Sequence, residues 1–470
     1  MAPRFGFSGG KPKTNLERSK PKKGFEVEIG NEDLVTQGGL EFIGMVLERT
    51  NLRSEVDGLM ANEAKNDIKS SDVVAAMIAL LSQGKTDFDD IKEMRENPDF
   101  YTSALGNARI PSEPTLRQRL DEIGKLFDES EAAQNAVVSI LKAFKVKFEP
   151  LSTGHAPLDA DVTPHDNSNT KKEGIGWTYK HFFGYSPINA YLGRYMINTE
   201  FRNGEQNGQK HAVEFFEQTI RLAREVTDLP LLFRLDSGHD AGDNVKLFKS
   251  SDRVDYIIKR NLRKESPEIW LETAINTNGV IISQPREGKT VYTGSTYGVN
   301  FEQEQIDGCE RERIVFEVTV RQNDKNGQML LIPEIDVSTW RTSLDSKVKD
   351  SEVIELYKQH AVCEQYHSEL KTDIGLERFP SGKRATNAAV LKLAMIAFTI
   401  LRLIGDVSLL VGKGKQRHEV SRIRLLTVMK RFIYFAARVV RHAKRLILKL
   451  GRREYWRFDF ISIHKYFAAI

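Results

Sequence analysis

The feature that most constrains this chain is a change of hydrophobic period at residue 155. His155 to Thr163 (HAPLDADVT), Trp177 to Phe183 and Ile188 to Met196 read as three short strands, joined by turns containing Gly174, Gly184 and Pro187. A helix is predicted over Gln209 to Val226. It is followed by Leu229 to Asp236 (LPLLFRLD), a near-continuous apolar run with a polar end, as expected of a strand covered on both faces. Asn244 to Phe248 then reads as a short helix and Val254 to Lys259 (VDYIIK) as a further buried strand. Three adjacent strands followed by alternating helix and strand predict a mixed α/β sheet flanked by helices.

The flanks read differently. Residues 31–150 are expected to be helical: Asp72 to Leu81 (DVVAAMIALL) is apolar throughout, and Ser112 to Ile123 places Pro114 ahead of Leu116, Leu120 and Ile123 at helical spacing. Such a region suits either DNA recognition or helical support. With the sheet starting at 151, the first part of the core is expected to run to 264. Residues 265–335 contain GVIISQ, TVYTGSTYGV, RIVFEVTV and MLLIPEI without an evident helix, so an all-β insertion is expected there. The core resumes over 336–400, and 401–470 is expected to be basic and helical.

At 470 residues, two to four domains are expected on a scale of roughly 150 residues each. The net charge is only +4, but it is unevenly spread. Residues 1–30 form a basic arm expected to be flexible, and over residues 1–23 of it Arg4, Lys11, Lys13, Arg18, Lys20, Lys22 and Lys23 face the single acid Glu17. Residues 401–453 hold fifteen Lys or Arg against Asp406 and Glu419. Positive ends of this kind suit a polyanion such as double-stranded DNA, because neutralised phosphates release condensed counterions. Two cysteines, Cys309 and Cys363, exclude a disulfide framework, and no apolar signal segment opens the chain. The longest apolar run, Leu393 to Leu401, is far below the roughly 18 residues of a membrane span. A soluble cytoplasmic protein is expected.

Carboxylates supply the candidate chemistry. Asp159 and Asp161 lie two apart on one strand and leave the same face, while Asp236 ends another strand, where crevices of open α/β sheets form. An Asp at a strand end is also an ordinary turn-starter. In the stretch Tyr357 to Lys371 (YKQHAVCEQYHSELK), His360, Glu364 and Lys371 fall at about 300°, 340° and 320° from Tyr357 at about 100° per residue. One narrow helix face would thus carry an aromatic hydroxyl, an imidazole, a carboxylate and an ammonium. A solvated surface helix would look the same. Joined with Glu364, the aspartates make a hard oxygen set suited to Mg²⁺ or Mn²⁺. Two such ions serve phosphodiester chemistry.

These residues resemble a family. Asp161-Val162-Thr163, Asp236-Ser237-Gly238 and the spacing of Tyr357, His360, Glu364 and Lys371 are similar to the D-x-T strand, second aspartate and Y-(2)-R-(3)-E-(6)-K signature of cut-and-paste DDE transposases of bacterial insertion sequences. Here His360 stands where the signature has Arg. Arg is a permanent bidentate phosphate fork, whereas His is charged only part of the time near neutral pH. The resemblance spans roughly residues 70–400. It implies an RNase H-like core, Asp161, Asp236 and Glu364 as catalytic residues and ligands of two Mg²⁺ ions, and a homodimer on DNA. It further implies DNA contacts from Tyr357, Lys371, His360 and Trp340, the last by stacking on a flipped base.

Other readings remain at this stage. Asp159 rivals Asp161, which the following Thr163 favours. His155, His165 and His239 read as polar loop residues, Trp340 also suits packing, and Arg234 suits structural pairing. Lys171 and Lys172 with Trp177 and Tyr179 suit a DNA-facing or a merely solvated hairpin. The basic pattern around Ile423, Val428, Ile433, Phe435, Val439 and Leu446 is expected on helices. As to function, a non-catalytic DNA-binding descendant of a transposase is the first alternative. The second is a Glu364-x-x-His367 half-site in a helical bundle, which lacks the second such motif it needs.

Overall fold

Alternate residues of the first core strand, Ala156, Leu158 and Ala160, are apolar and fully buried, whereas Asp159 and Asp161 leave the other face. The computed structural model describes residues 27, 29–60, 68–298, 312–324, 327–412, 420–443 and 445–470, and in it this strand is central. The main sheet has nine strands: β1 Ala156–Val162, β2 Ile188–Leu192, β3 Tyr195–Glu200, β4 Leu231–Leu235, β5 Val254–Lys259, β6 Ile281–Arg286, β7 Lys289–Tyr297, β8 Arg313–Asn323 and β9 Met329–Thr342. Their order is β6-β7-β8-β9-β5-β4-β1-β2-β3.

Within it, β1, β2 and β3 pair antiparallel, and β4 and β5 run parallel to β1. The order β5-β4-β1-β2-β3 with these directions is the RNase H-like arrangement expected from the resemblance. Helices cover both faces. Ala212–Arg224 and Gly242–Ser250 bury Phe216 and Phe248 against Phe233, while Asp350–Lys358 packs Val353, Ile354 and Leu356 against Leu232, Ile257 and Trp340.

The segment after β5 departs from expectation. It opens with a helix, Pro267–Asn276, whose first turn is capped by Ser266 Oγ accepting from Ile269 N. Its strands are not separate from the core either: β9 crosses residue 335 and pairs Trp340, Arg341 and Thr342 with Lys259, Ile258 and Ile257 of β5. A 14-residue strand therefore ties the inserted sheet to the central one.

The N-terminal region is helical, and its helices gather on Arg384–Val411 together with β3 and the last helix, Arg457–Ala468. This 28-residue helix is long and apolar enough to cross a membrane, yet 78% of its most apolar stretch is buried inside the protein. It is the core helix of this half, and Leu393–Leu401 lies within it.

Toward the end of the chain, the helices expected around Val439 and Leu446 are replaced by a hairpin, Ala437–His442 with Arg445–Leu450, joined by Leu34–Val35 into a three-stranded sheet. Burial alternates through Arg445–Leu450, so Leu446, Leu448 and Leu450 turn inward and the intervening residues outward, as a period of two requires. Residues 1–26 of the basic arm, and Cys309, lie outside the described residues.

Candidate active site

Parallel register places the two aspartates. Ala160 pairs with Leu235, so the next residues, Asp161 and Asp236, stand in step at the same end of neighbouring strands. Two residues back, Asp159 and Arg234 face each other on the same side, and the period of two carries that side to Asp161 and Asp236.

The inner pair is neutralised. Arg234 donates to both oxygens of Asp159, at 2.7 Å each, and to the carbonyl of Leu356 at 2.9 Å. His360 Nδ1 lies 3.1 Å from Asp159 Oδ1. Burial works against this charge, but Arg234 and His360 hold the Asp159 carboxyl below its usual range, and Asp159 in turn raises the His360 imidazole. Asp159 therefore cross-links β1, β4 and the helical segment above them.

The outer pair has no such cation. Burial and the negative charge of Asp236 push the Asp161 carboxyl up to about 7. Asp161 accepts from Val162 N at 2.7 Å, and its other oxygen is 3.7 Å from His367 Nδ1. Asp236 is half-exposed and caps the turn Ser237–His239 through Gly238 N at 3.1 Å. Asp159 and Asp161, which share a face of the strand, thus stand in unequal environments, one paired with a guanidinium and the other not.

The stretch Tyr357 to Lys371 is not one straight helix. The α-helix Asp350–Lys358 gives way to a 3₁₀ turn, Gln359–Ala361, then to Val362–Ser368 and a π turn, Glu369–Asp373. Tyr357 stays beside the acidic end, where burial and the charges of Asp236 and Asp161 raise its hydroxyl pKa. Lys371 donates to the carbonyl of Pro164, just past β1, and pairs with Glu377 at 3.7 Å. Glu364 is exposed and has no hydrogen-bond or ion-pair partner among the described residues. His360 is buried on Asp159 rather than turned to solvent.

Trp340 is 3% exposed, with its ring 5.8 Å from that of Tyr357, so its observed role is packing and its faces are not open to a base. His155, His165 and His239 are all buried: His155, in the loop before β1, bonds Asp255, His165 bonds the Leu376 carbonyl, and His239 lies 4.0 Å from Asp236 with neither ring nitrogen hydrogen-bonded among the described residues. Burial lowers the His239 imidazole to about 4, which leaves it neutral. Three neighbours of the acidic pair were not placed beside it by sequence reasoning, although His367 and Tyr179 were singled out in other settings. His367 lies beside Asp161, Tyr179 Oη donates to the Val162 carbonyl at 3.2 Å, and the charge of Lys180 acts on Asp161.

The donor set partly fits a divalent cation. Asp161 and Asp236 are hard oxygen donors whose mutual repulsion a cation would relieve. Among the described residues, however, no group of three or more His, Cys, Asp or Glu is close enough to hold a metal ion, so Glu364 is not gathered with the aspartates.

Comparison with known proteins gives the family. The model of "Transposase DDE domain group 1" matches residues 18–467. The chain belongs to this family of DDE transposases. Among solved structures, the transposase is similar to one described as "Cryo-EM structure of piggyBac transposase synaptic complex with hairpin DNA", at 13% identity and TM-score 0.38, over 85% of this chain and 80% of that one. No curated protein matches the transposase.

Proposed function

We propose that this transposase cuts DNA at the ends of a mobile element and transfers the freed strand into target DNA, with Asp161, Asp236 and Glu364 as its catalytic residues. One observation carries the reading: two carboxylates stand in step at neighbouring strand ends, where burial and then the nearness of Asp236 push the Asp161 carboxyl up to about 7. Divalent cations of the Mg²⁺ or Mn²⁺ kind, two in number, would be held first by Asp161 and Asp236, with Glu364 joining only if its segment moves toward them, and would supply activation of the attacking oxygen and stabilisation of the leaving oxygen.

The chain's own groups do the rest. Tyr357 offers a hydroxyl and Lys371 an ammonium to DNA phosphates beside the acidic end. His360 serves through Asp159, holding the segment that carries Glu364 one helical turn onward. The basic residues of 420–453 and of the N-terminal arm supply sequence-independent attraction to the duplex. The working form is a homodimer holding two DNA ends.

The test incubates the protein with DNA carrying the ends of its own flanking element, with Mg²⁺ and then with EDTA. Nicking is expected only with the metal, and Asp161→Asn, Asp236→Asn and Glu364→Gln are each expected to lose nicking while retaining DNA binding. Nicking that survives EDTA refutes the metal-dependent reading. DNA binding without nicking in any condition favours a non-catalytic descendant instead.

A further inference from the structure

Beside the acidic pair stands a small three-stranded sheet made from His165–Asp166, Gly176–Trp177 and Phe183–Tyr185. Its outer face is unusual for a soluble surface. Trp177, Tyr179 and Phe183 are 52%, 58% and 50% exposed within seven residues of chain. Scattered exposed aromatics need no explanation, but a contiguous group marks a binding surface. Trp177 and Phe183 are cross-strand partners with ring centroids 5.0 Å apart at 72°, and the His181 ring lies 6.3 Å from the indole.

The group is held rigidly. Thr178 N and Oγ1 both donate to the Phe182 carbonyl, at 2.9 Å each, and His181 N donates to the Thr178 carbonyl at 3.0 Å. At the base, a Cβ on Gly184 would sit 1.9 Å from the His165 carbonyl oxygen, so the strands meet at a distance only glycine allows. The backbone that carries the rings is therefore set before any partner arrives, which lowers the entropy lost on binding.

The surroundings select the partner. Lys180 lies 5.3 Å over the Tyr179 ring, and Lys171, Lys180 and Arg378 are exposed around the hairpin. Tyr179 is anchored to the Val162 carbonyl, one residue from Asp161. Flat rings interleaved with cations, next to a phosphodiester-cutting centre, match unpaired nucleobases joined by phosphates.

We propose that Gly176–Tyr185 is a stacking platform for unpaired bases at the DNA end, with Trp177 as its main contact and Phe183 bracing it, so that the adjoining phosphate lies toward Asp161 and Asp236. The proposal rests on the transposase reading for its DNA partner. Stacking is tolerant of sequence, so a generic duplex serves as the probe.

The experiment compares a short duplex with mismatched terminal bases, one of them 2-aminopurine, against the same duplex fully paired, in EDTA so that nothing is cut. Wild type is expected to bind the frayed end more tightly and to quench the 2-aminopurine. Trp177→Ala is expected to weaken binding to the frayed end by roughly five- to 150-fold while the paired end loses far less, and Trp177→Phe to restore most of the preference. Phe183→Ala supplies a second, smaller loss, and circular dichroism confirms that each variant is folded. Equal affinity of wild type for both ends, or an unchanged preference in folded Trp177→Ala, overturns the proposal. The two readings fail separately: a Trp177-dependent preference in a protein that never nicks with Mg²⁺ supports the platform and rejects the catalytic reading, and nicking without any preference does the reverse.

Discussion

Replacing Arg234 by Met should be among the most damaging single changes in the core sheet. Arg234 is 3% exposed and Asp159 is fully buried. The substitution removes three charge-assisted bonds and leaves the Asp159 carboxylate facing only His360. Breaking a buried pair from one side costs about 3–5 kcal/mol, a large fraction of the roughly 5–15 kcal/mol that holds a typical domain folded. Removing both charges together, as in Asp159→Leu with Arg234→Met, leaves neither a buried carboxylate nor a buried guanidinium unpaired, while His360 can shed its proton, and should cost clearly less than Arg234→Met alone. Urea unfolding followed by circular dichroism measures the loss, and native-state hydrogen exchange of the β4 amides locates it. A loss below about 1 kcal/mol for Arg234→Met, or a double variant as unstable as the sum of the singles, would refute the account of this triad as a tie between β1, β4 and the segment bearing Glu364.

Further predictions concern other sites. Burial, with Glu48 nearby, raises the Glu41 carboxyl from 4.5 to about 7. Because the folded state holds this proton more tightly than the unfolded one, the group weakens the fold as pH rises from about 4.5 to 7, by up to about 3 kcal/mol. Glu41→Gln should therefore match wild type in thermal melts near pH 4 and exceed it at pH 8. Gly184→Ala forces a methyl against the His165 carbonyl and should cost about 1–3 kcal/mol, with a changed Trp177 fluorescence spectrum as the local readout.

Much of the core was legible because its strands are extreme. LPLLFRLD and VDYIIK are apolar runs that only a doubly covered strand explains, and β4 and β5 fall inside them. Asp161 and Asp236 were legible for a related reason, since strand period and strand ends are local properties. What separates Asp159 from Asp161 is not local: the separation comes from Arg234, 75 residues away, which neutralises one and not the other. The alignment of Tyr357, His360, Glu364 and Lys371 assumed one unbroken helix, and the 3₁₀ and π turns at Gln359–Ala361 and Glu369–Asp373 alter the rotation on which it depended. The hairpin at 437–450 was missed because a half-buried strand rich in Val, Leu and Arg fits a helical stripe almost equally well, and only its pairing with Leu34–Val35 decides the matter.

That last pairing has a consequence for biosynthesis. Leu34 and Val35 bond to Arg438 and Ala437, and Gly39 N donates to the Ile433 carbonyl, so this edge closes across about 400 residues of chain. Contacts of such long sequence separation form late. The Leu34–Val35 edge therefore stays unpaired until residues 437–442 have been made, and a chain cut short before residue 437 offers it no hairpin to dock on.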